Sequence, residues 1–418
     1  MQHPYVIPGE EFASKMQTIF IEIDIPRVVA TRALGKVWPG AYFSPISPLH
    51  FVTWPDPPLP GPHSVRVRNR LSLICGSDLH LAYADGDPRV APAVLPGNKR
   101  TYLGHEICGE VVEIGPSVTR VRVGERVALR YFMPTCHTQG IEPACVHCAR
   151  GDYFLCENQS LGRGAPMVGG GWSDFFIAHE HQLYVPPSAL SDEEVALLEP
   201  AAVGVHSALM ALPRPGERVL VLGCGIIGLM VIQALRALAP EAHITALARY
   251  GFQAEAARRL GATEARVRED GYAITVEVTG ARAYRGMMGS TMLLGGFDVV
   301  FDCVGTGKTL TDTLRWTRAG GRVVLVGVQF QPLTVDLTPV WYQEVRLLGA
   351  MAHGREVWQG EEIGTFELTA RLFEERKLTA EGLITHRFPL AQWREAIATA
   401  SSKRARQAIK VAFTFQSS

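Results

Sequence analysis

Residues 218–228 read RVLVLGCGIIG, followed at once by LMVIQALRAL. The four unbroken apolar residues Val219–Leu222 are too few for a helix and suit a strand buried on both faces. Gly223, Gly225 and Gly228 then form GxGxxG, and Ile226 and Ile227 open an amphipathic helix. Glycines in that strand-turn-helix context permit a tight turn and let backbone approach a pyrophosphate at the helix N-terminus, so a dinucleotide site is expected. Strand and helix keep alternating: HITALA at 243–248, FQAEAARRLGA at 252–262, FDVVFDCVG at 297–305, LTDTLRWTRAGG at 310–321, RVVLVGV at 322–328 and VRLLGAM at 345–351. The expected product is an α/β body with a doubly wound parallel sheet. Its second strand ends in Ala248-Arg249-Tyr250, where NAD-binding folds usually carry an acid for the ribose 2′-hydroxyl. Without that carboxylate, and with an Arg249 guanidinium that suits a 2′-phosphate, NADP is favoured over NAD.

Upstream the texture differs. Residues 1 to about 65 are Pro-rich and read as irregular, with 1–25 as an N-terminal extension. From there to about 202, short runs such as SVRVRNRLSLI, EVVEIG and HQLYVPP between Gly/Pro turns predict a mostly β domain. The α/β body should span 203–352, and 353–418 bring two further helices around the strand-like ITHRFPL. With 418 residues, 47% hydrophobic and 20% charged, the chain is expected to be globular, neither disordered nor collagenous. The 41 Lys+Arg against 41 Asp+Glu give no sequence-wide field for nucleic acid or an acidic membrane. Val219 to Leu235, the longest uncharged stretch, is 17 residues and carries three glycines, so no membrane span is expected. The N-terminus has no basic stretch before an apolar core and does not read as a signal peptide.

Eight cysteines are too few for a disulfide scaffold, and four of them, Cys136, Cys145, Cys148 and Cys156, share one short window. That spacing suits a metal site in a reducing cytoplasm. A second set of metal-ligand types stands in ICGSDLH (74–80), LGHEICGEVVEIG (103–115) and LLEPAAVGVH (197–206). Cys75 offers a thiolate, His105 an imidazole, and Glu199 or Glu106 a carboxylate, which is the three-ligand set of a catalytic zinc with an open position.

With CGSDxH, the GHE signature of Gly104, His105 and Glu106 followed by Gly109, Gly115 and Val118, CxxC, GxGxxG, AGGRVVLVG and THRFPL, the sequence from about residue 26 onward resembles the zinc-dependent medium-chain dehydrogenase/reductase superfamily. The resemblance implies a GroES-like catalytic domain over 26–202, a Rossmann coenzyme domain inserted after it, and a C-terminal return to the catalytic domain. Glu199 in LxEPxxVxxH tilts it toward the polyol, threonine and glucose dehydrogenases. It further implies hydride transfer between an alcohol or polyol and NAD(P), with a zinc that acidifies the substrate hydroxyl. Ser77 would take the hydroxyl proton, His80 would carry it toward solvent, and Asp78 would orient His105. A structural zinc lobe is implied at about 134–158, its last three ligands Cys145, Cys148 and Cys156, its first Cys136 or Glu142. A homo-oligomer, dimer or tetramer, acting on a small molecule is the partner expectation. A zinc-free quinone or enoyl reductase relative is the alternative that Cys75, His105 and Glu199 oppose, and a zinc-ribbon binding module is a remote one. Loops 81–102 and 131–135 are expected to wall the substrate pocket, while 280–296, longer than usual in the family, reads as a surface insertion.

Overall fold

A computed structural model describes residues 15–22, 24–87, 100–159 and 166–415. The apolar run Arg218–Leu222 is the third strand of a six-stranded sheet, in the order Glu264–Val267, His243–Ala248, Arg218–Leu222, Phe297–Asp302, Thr317–Leu325, Arg346–Gly349. Every pairing is parallel. Val219, Leu220 and Val221 are buried, as strands covered by helices on both faces must be. The helices Ile226–Leu238, Gly251–Arg259 and Gly307–Trp316 supply that cover. Because Arg218–Leu222 lies between His243–Ala248 and Phe297–Asp302, strand order reverses beside it and opens a crevice at the strands' C-terminal ends.

The second body is built on a seven-stranded sheet. Its central strand Ser64–Leu73 pairs with Glu106–Ile114, with Phe175–His179 and with Lys410–Thr414, so the chain's last strand returns to the sheet begun near its start. Ile384–Pro389 flanks that returning strand. The helix Asp192–Met210 packs on both bodies: against Ser64–Leu73 and Glu106–Ile114 on one side and against Ile226–Leu238 on the other. It starts firmly, since the Ser191 hydroxyl accepts from the Glu194 amide at 3.2 Å and the Glu194 carboxylate accepts from the Ser191 amide at 2.7 Å. One apolar cluster accordingly runs from Leu71 and Cys108 through Leu198 and Val205 to Leu229 and Val221. No helix among the described residues is long and apolar enough to cross a membrane.

One stretch differs from the sequence expectation, and a second, expected as a surface insertion, is an exposed hairpin. The first 65 residues are not irregular throughout: Lys15–Glu22 pairs antiparallel with Leu49–Pro55 and with Arg100–Tyr102, and the helix Ile25–Gly35 lies between. The part of the N-terminal extension that is described is therefore core, with Ile19 at 0% and Ile21 at 5% exposure, while residues 1–14 lie outside the described residues. The reason is tertiary, because the Thr18 hydroxyl meets Ser173 at 2.7 Å and the Gln17 amide donates to Asp174 at 2.7 Å, partners about 155 residues away. In 280–296, Arg282–Arg285 and Thr291–Leu294 form a hairpin that buries Leu293 and leaves Met287 94% exposed. Ile19→Ala should lower unfolding free energy by about 2–5 kcal/mol in urea titration, the usual cost of truncating a fully buried Ile. A loss under about 0.5 kcal/mol would place the strand outside the core.

Candidate active site and coenzyme cleft

Cys75 leaves the strand Ser64–Leu73 and caps the helix Gly76–Ala82. One buried carboxylate organises what surrounds it. Asp78 Oδ2 accepts the Cys75 amide at 3.0 Å, Oδ1 accepts the Gly104 amide at 3.0 Å, and Oδ1 lies 3.6 Å from His105 Nδ1. Burial would raise the Asp78 carboxyl, but His105 and the two amides outweigh it and hold the group below its ordinary value.

Cys75, His105 and Glu106 each bring one donor atom within 4.8 Å of the others. Glu106 and Lys410 are both buried, and Lys410 Nζ lies 2.6 Å from both carboxylate oxygens. Oε1 accepts its hydrogen bond, and the same ammonium stands against Oε2. A thiolate, an imidazole and a carboxylate fit zinc. Glu199, the first choice in the sequence for the carboxylate, stands outside this group on the helix Asp192–Met210, while Glu106 follows His105 directly into the strand Glu106–Ile114. Burial pushes the Glu199 carboxyl up to about 7, with the Glu106 charge adding and the His105 charge opposing. Over the group, the Phe132 ring lies 4.6 Å from that of His105, and Phe154 lies 5.6 Å from Phe132. Of loop 131–135, Phe132 packs against His105, whereas 88–99 of the other expected wall lie outside the described residues.

Ser77 and His80 share the helix Gly76–Ala82 one turn apart and so face the same way. His80 Nδ1 sits 2.8 Å from both oxygens of Asp85, and the His80 ring meets Phe330 edge-on at 5.5 Å. The Asp87 amide donates to the Phe330 carbonyl at 2.6 Å and Gln331 reaches the Asp85 carbonyl, so a loop of the α/β body presses on the helix that carries Ser77 and His80. Asp85 and Phe330 carry no sequence signal for this role. Lys410 had a faint one, as a lone charge in the apolar strand KVAFT.

In the lobe, Cys136, Cys145, Cys148 and Cys156 bring their sulfurs within 4.8 Å of one another, none of them in a disulfide. Glu142 is exposed and outside the cluster. Amide donors surround the sulfurs: Cys145 to Cys136 at 3.3 Å, Cys148 to Cys145 at 3.5 Å and Asn158 to Cys156 at 3.3 Å, with the Asn158 side chain on Cys136 at 3.1 Å. Such donors stabilise thiolates, and four sulfurs with no open position suit a structural zinc.

The crevice beside Arg218–Leu222 fits a dinucleotide. Gly223 sits at φ +93°, and a Cβ on Gly228 would come within 1.9 Å of the Gly223 carbonyl oxygen, so neither position takes a side chain. Gly225 caps the helix and faces open space, and Ile226 and Ile227 pack on the main core below it. Arg249 and Tyr250 lie at the edge of a cleft of about 410 Å³.

The chain matches the family described as alcohol dehydrogenase GroES-like domain over residues 61–188 and the one described as zinc-binding dehydrogenase over 227–366. It is 32% identical to an L-idonate 5-dehydrogenase of Vitis vinifera over 84% of this chain and 88% of that one. It is 34% identical to a sorbitol dehydrogenase of Arabidopsis thaliana over 85% of this chain and 90% of that one. Among solved structures it is similar to 2R,3R-butanediol dehydrogenase from Bacillus subtilis, with TM-score 0.68 and 26% identity, covering 88% of this chain and 96% of that one. The chain belongs to the zinc-dependent medium-chain dehydrogenase/reductase superfamily, and this membership sets aside the zinc-ribbon reading.

The Lys410–Glu106 pair generates a prediction of its own. Lys410→Met leaves a buried carboxylate without its counter-ion, and stability should fall by about 3–5 kcal/mol in chelator-treated protein. The loss should shrink when zinc is added, since a cation bound at Glu106 replaces the missing charge. Equal stability of the two chelator-treated proteins would show that the pair holds nothing together.

Proposed function

We propose that this dehydrogenase interconverts a polyol or related alcohol with its carbonyl compound, using NADP in preference to NAD. The observation that carries the reading is the convergence of Cys75, His105 and Glu106, whose donor atoms all lie within 4.8 Å of one another. The sorbitol and L-idonate dehydrogenases among its relatives support the polyol class. Cys75, His105 and Glu106 would hold the catalytic zinc, with the Glu199 carboxyl beside them, and Cys136, Cys145, Cys148 and Cys156 the structural one. Bound there, zinc supplies the Lewis acidity that eases loss of a hydroxyl proton, and the dinucleotide supplies the hydride acceptor.

The chain's own residues handle the proton. Ser77 takes it from the substrate hydroxyl and passes it to His80. Asp85, on His80 Nδ1, fixes the tautomer with the proton on that nitrogen, leaves Nε2 free to accept, and stabilises the imidazolium that results. Phe132 and Phe154 exclude water from the side of the site they cover. The absent acid after Ala248 and the guanidinium of Arg249 support NADP.

Oligomerisation, as a dimer or tetramer, is supported by the edge strand Arg346–Gly349, which among the described residues pairs only with Thr317–Leu325, and by the exposed Trp341 and Tyr342 nearby. A cytoplasmic location is supported by eight cysteines, none in a disulfide.

Turnover of a panel of polyols, simple alcohols and their carbonyl products with each nicotinamide cofactor tests the substrate class. Elemental analysis should find about two zinc ions per chain, and Cys75→Ala should lose one of them together with activity. Full activity in that variant would overturn the ligand set. Asp85→Asn should lower kcat by about tenfold to a hundredfold near neutral pH while leaving KM and zinc content unchanged, and added imidazole buffer should restore part of the rate. An unaltered kcat would remove Asp85 and His80 from the proton path.

A further inference from the structure

Three guanidiniums line the cleft beyond Ala248, and they come from three separate places in the chain. Arg249 ends the strand His243–Ala248, Arg268 follows the strand Glu264–Val267, and Arg404 lies in the short helix Lys403–Arg406. The first two clasp one ring, with Arg249 Cζ 5.5 Å and Arg268 Cζ 5.4 Å from the Tyr250 centroid. Arg268 Nε donates to the Arg249 carbonyl at 2.8 Å, and the Arg268 amide donates to Ala248 at 3.0 Å, so the two arginines are held as a unit. Among the described residues, none of the three forms an ion pair with a carboxylate, and Glu255 is the acidic residue on the lining. Some arginines of the same body are neutralised, among them Arg266 by Glu264 and Glu277, Arg315 by Asp336 and Arg318 by Asp298. Three unneutralised cations around one cavity repel each other, and an anion seated between them removes that repulsion. Guanidinium forks suit a phosphate above other anions.

Arg404 differs from the other two in what carries it. It precedes the strand Lys410–Thr414, which pairs with Ser64–Leu73, the strand that leads into Cys75. We infer that Arg404 is a coenzyme-specificity residue supplied by the catalytic body: with Arg249 and Arg268 it binds the adenosine 2′-phosphate, and that phosphate ties the catalytic and coenzyme bodies together. The inference rests on the NADP reading and adds to it a consequence, that NADP draws the two bodies together at this cleft through a contact that NAD, which lacks the phosphate, cannot make. Arg268 completes the phosphate cradle from its own side and holds Arg249 in place.

Calorimetry with two coenzyme fragments tests this without turnover. Adenosine 2′,5′-bisphosphate should bind wild-type protein at least about tenfold tighter than adenosine 5′-monophosphate. Arg404→Gln and Arg268→Gln should each weaken the bisphosphate about tenfold and leave the monophosphate unchanged. Amide exchange in 403–411 should slow on adding the bisphosphate and not the monophosphate. A wild type that binds both fragments equally overturns the NADP reading and this inference with it. A wild type that prefers the bisphosphate, while Arg404→Gln keeps the whole preference and 403–411 exchange unchanged, overturns the bridge alone. Arg249→Ala, which should abolish the preference, separates these two outcomes.

Discussion

Lys410 Nζ lies 2.6 Å from the carboxylate of Glu106, with both residues buried. Neither charge is tolerable there without the other, because removing an ion from water costs several kcal/mol that only a close counter-charge repays. The pair therefore does more than fill space. It holds the Glu106 carboxylate beside Cys75 and His105, and makes the returning strand Lys410–Thr414 a condition for a finished site. Asp78 performs the matching task on the other side, joining Cys75, Gly104 and His105 through a single carboxylate.

Two bodies share this arrangement without being independent. The helix Asp192–Met210 buries one face on the sheet of Ser64–Leu73 and another on Ile226–Leu238, and one apolar cluster passes through it. The loop around Phe330 reaches back to His80 and Asp85. Motion of the coenzyme body is thereby felt by the helix that positions the proton path, and the crevice cannot widen without parting these contacts.

How much of this was legible in the sequence depended on whether the determining contact was local. The alternation from Arg218 onward gave away the parallel sheet, since strand runs, glycine turns and helix periods are all short-range signals. Cysteine spacing marked the lobe, yet choosing Cys136 over Glu142 needed the fold to bring four sulfurs together. The nearness of Glu106, rather than Glu199, to Cys75 and His105 was hidden for the same reason, because both acids sit in good motifs and the neighbour that holds Glu106, Lys410, is 304 residues away. The strand Lys15–Glu22 has no local signal because its partners lie at Leu49–Pro55 and near Ser173. Arg249 was visible from its place after a strand, whereas Arg268 and Arg404 converge on it only in three dimensions.

The span between Glu106 and Lys410 also sets an order of events on the ribosome. At about 5–20 residues per second, the counter-ion for Glu106 is polymerised roughly 15 to 60 seconds after the residue it must neutralise. Throughout that interval the nascent catalytic sheet lacks the strand Lys410–Thr414, whereas the coenzyme body, whose sheet lies wholly within residues 218–349, has its last strand polymerised before Lys410 is added. The inserted body is complete before the one that encloses it, so the half-built sheet around Ser64–Leu73, open along the edge that awaits Lys410–Thr414, is the species that chaperones would meet during synthesis.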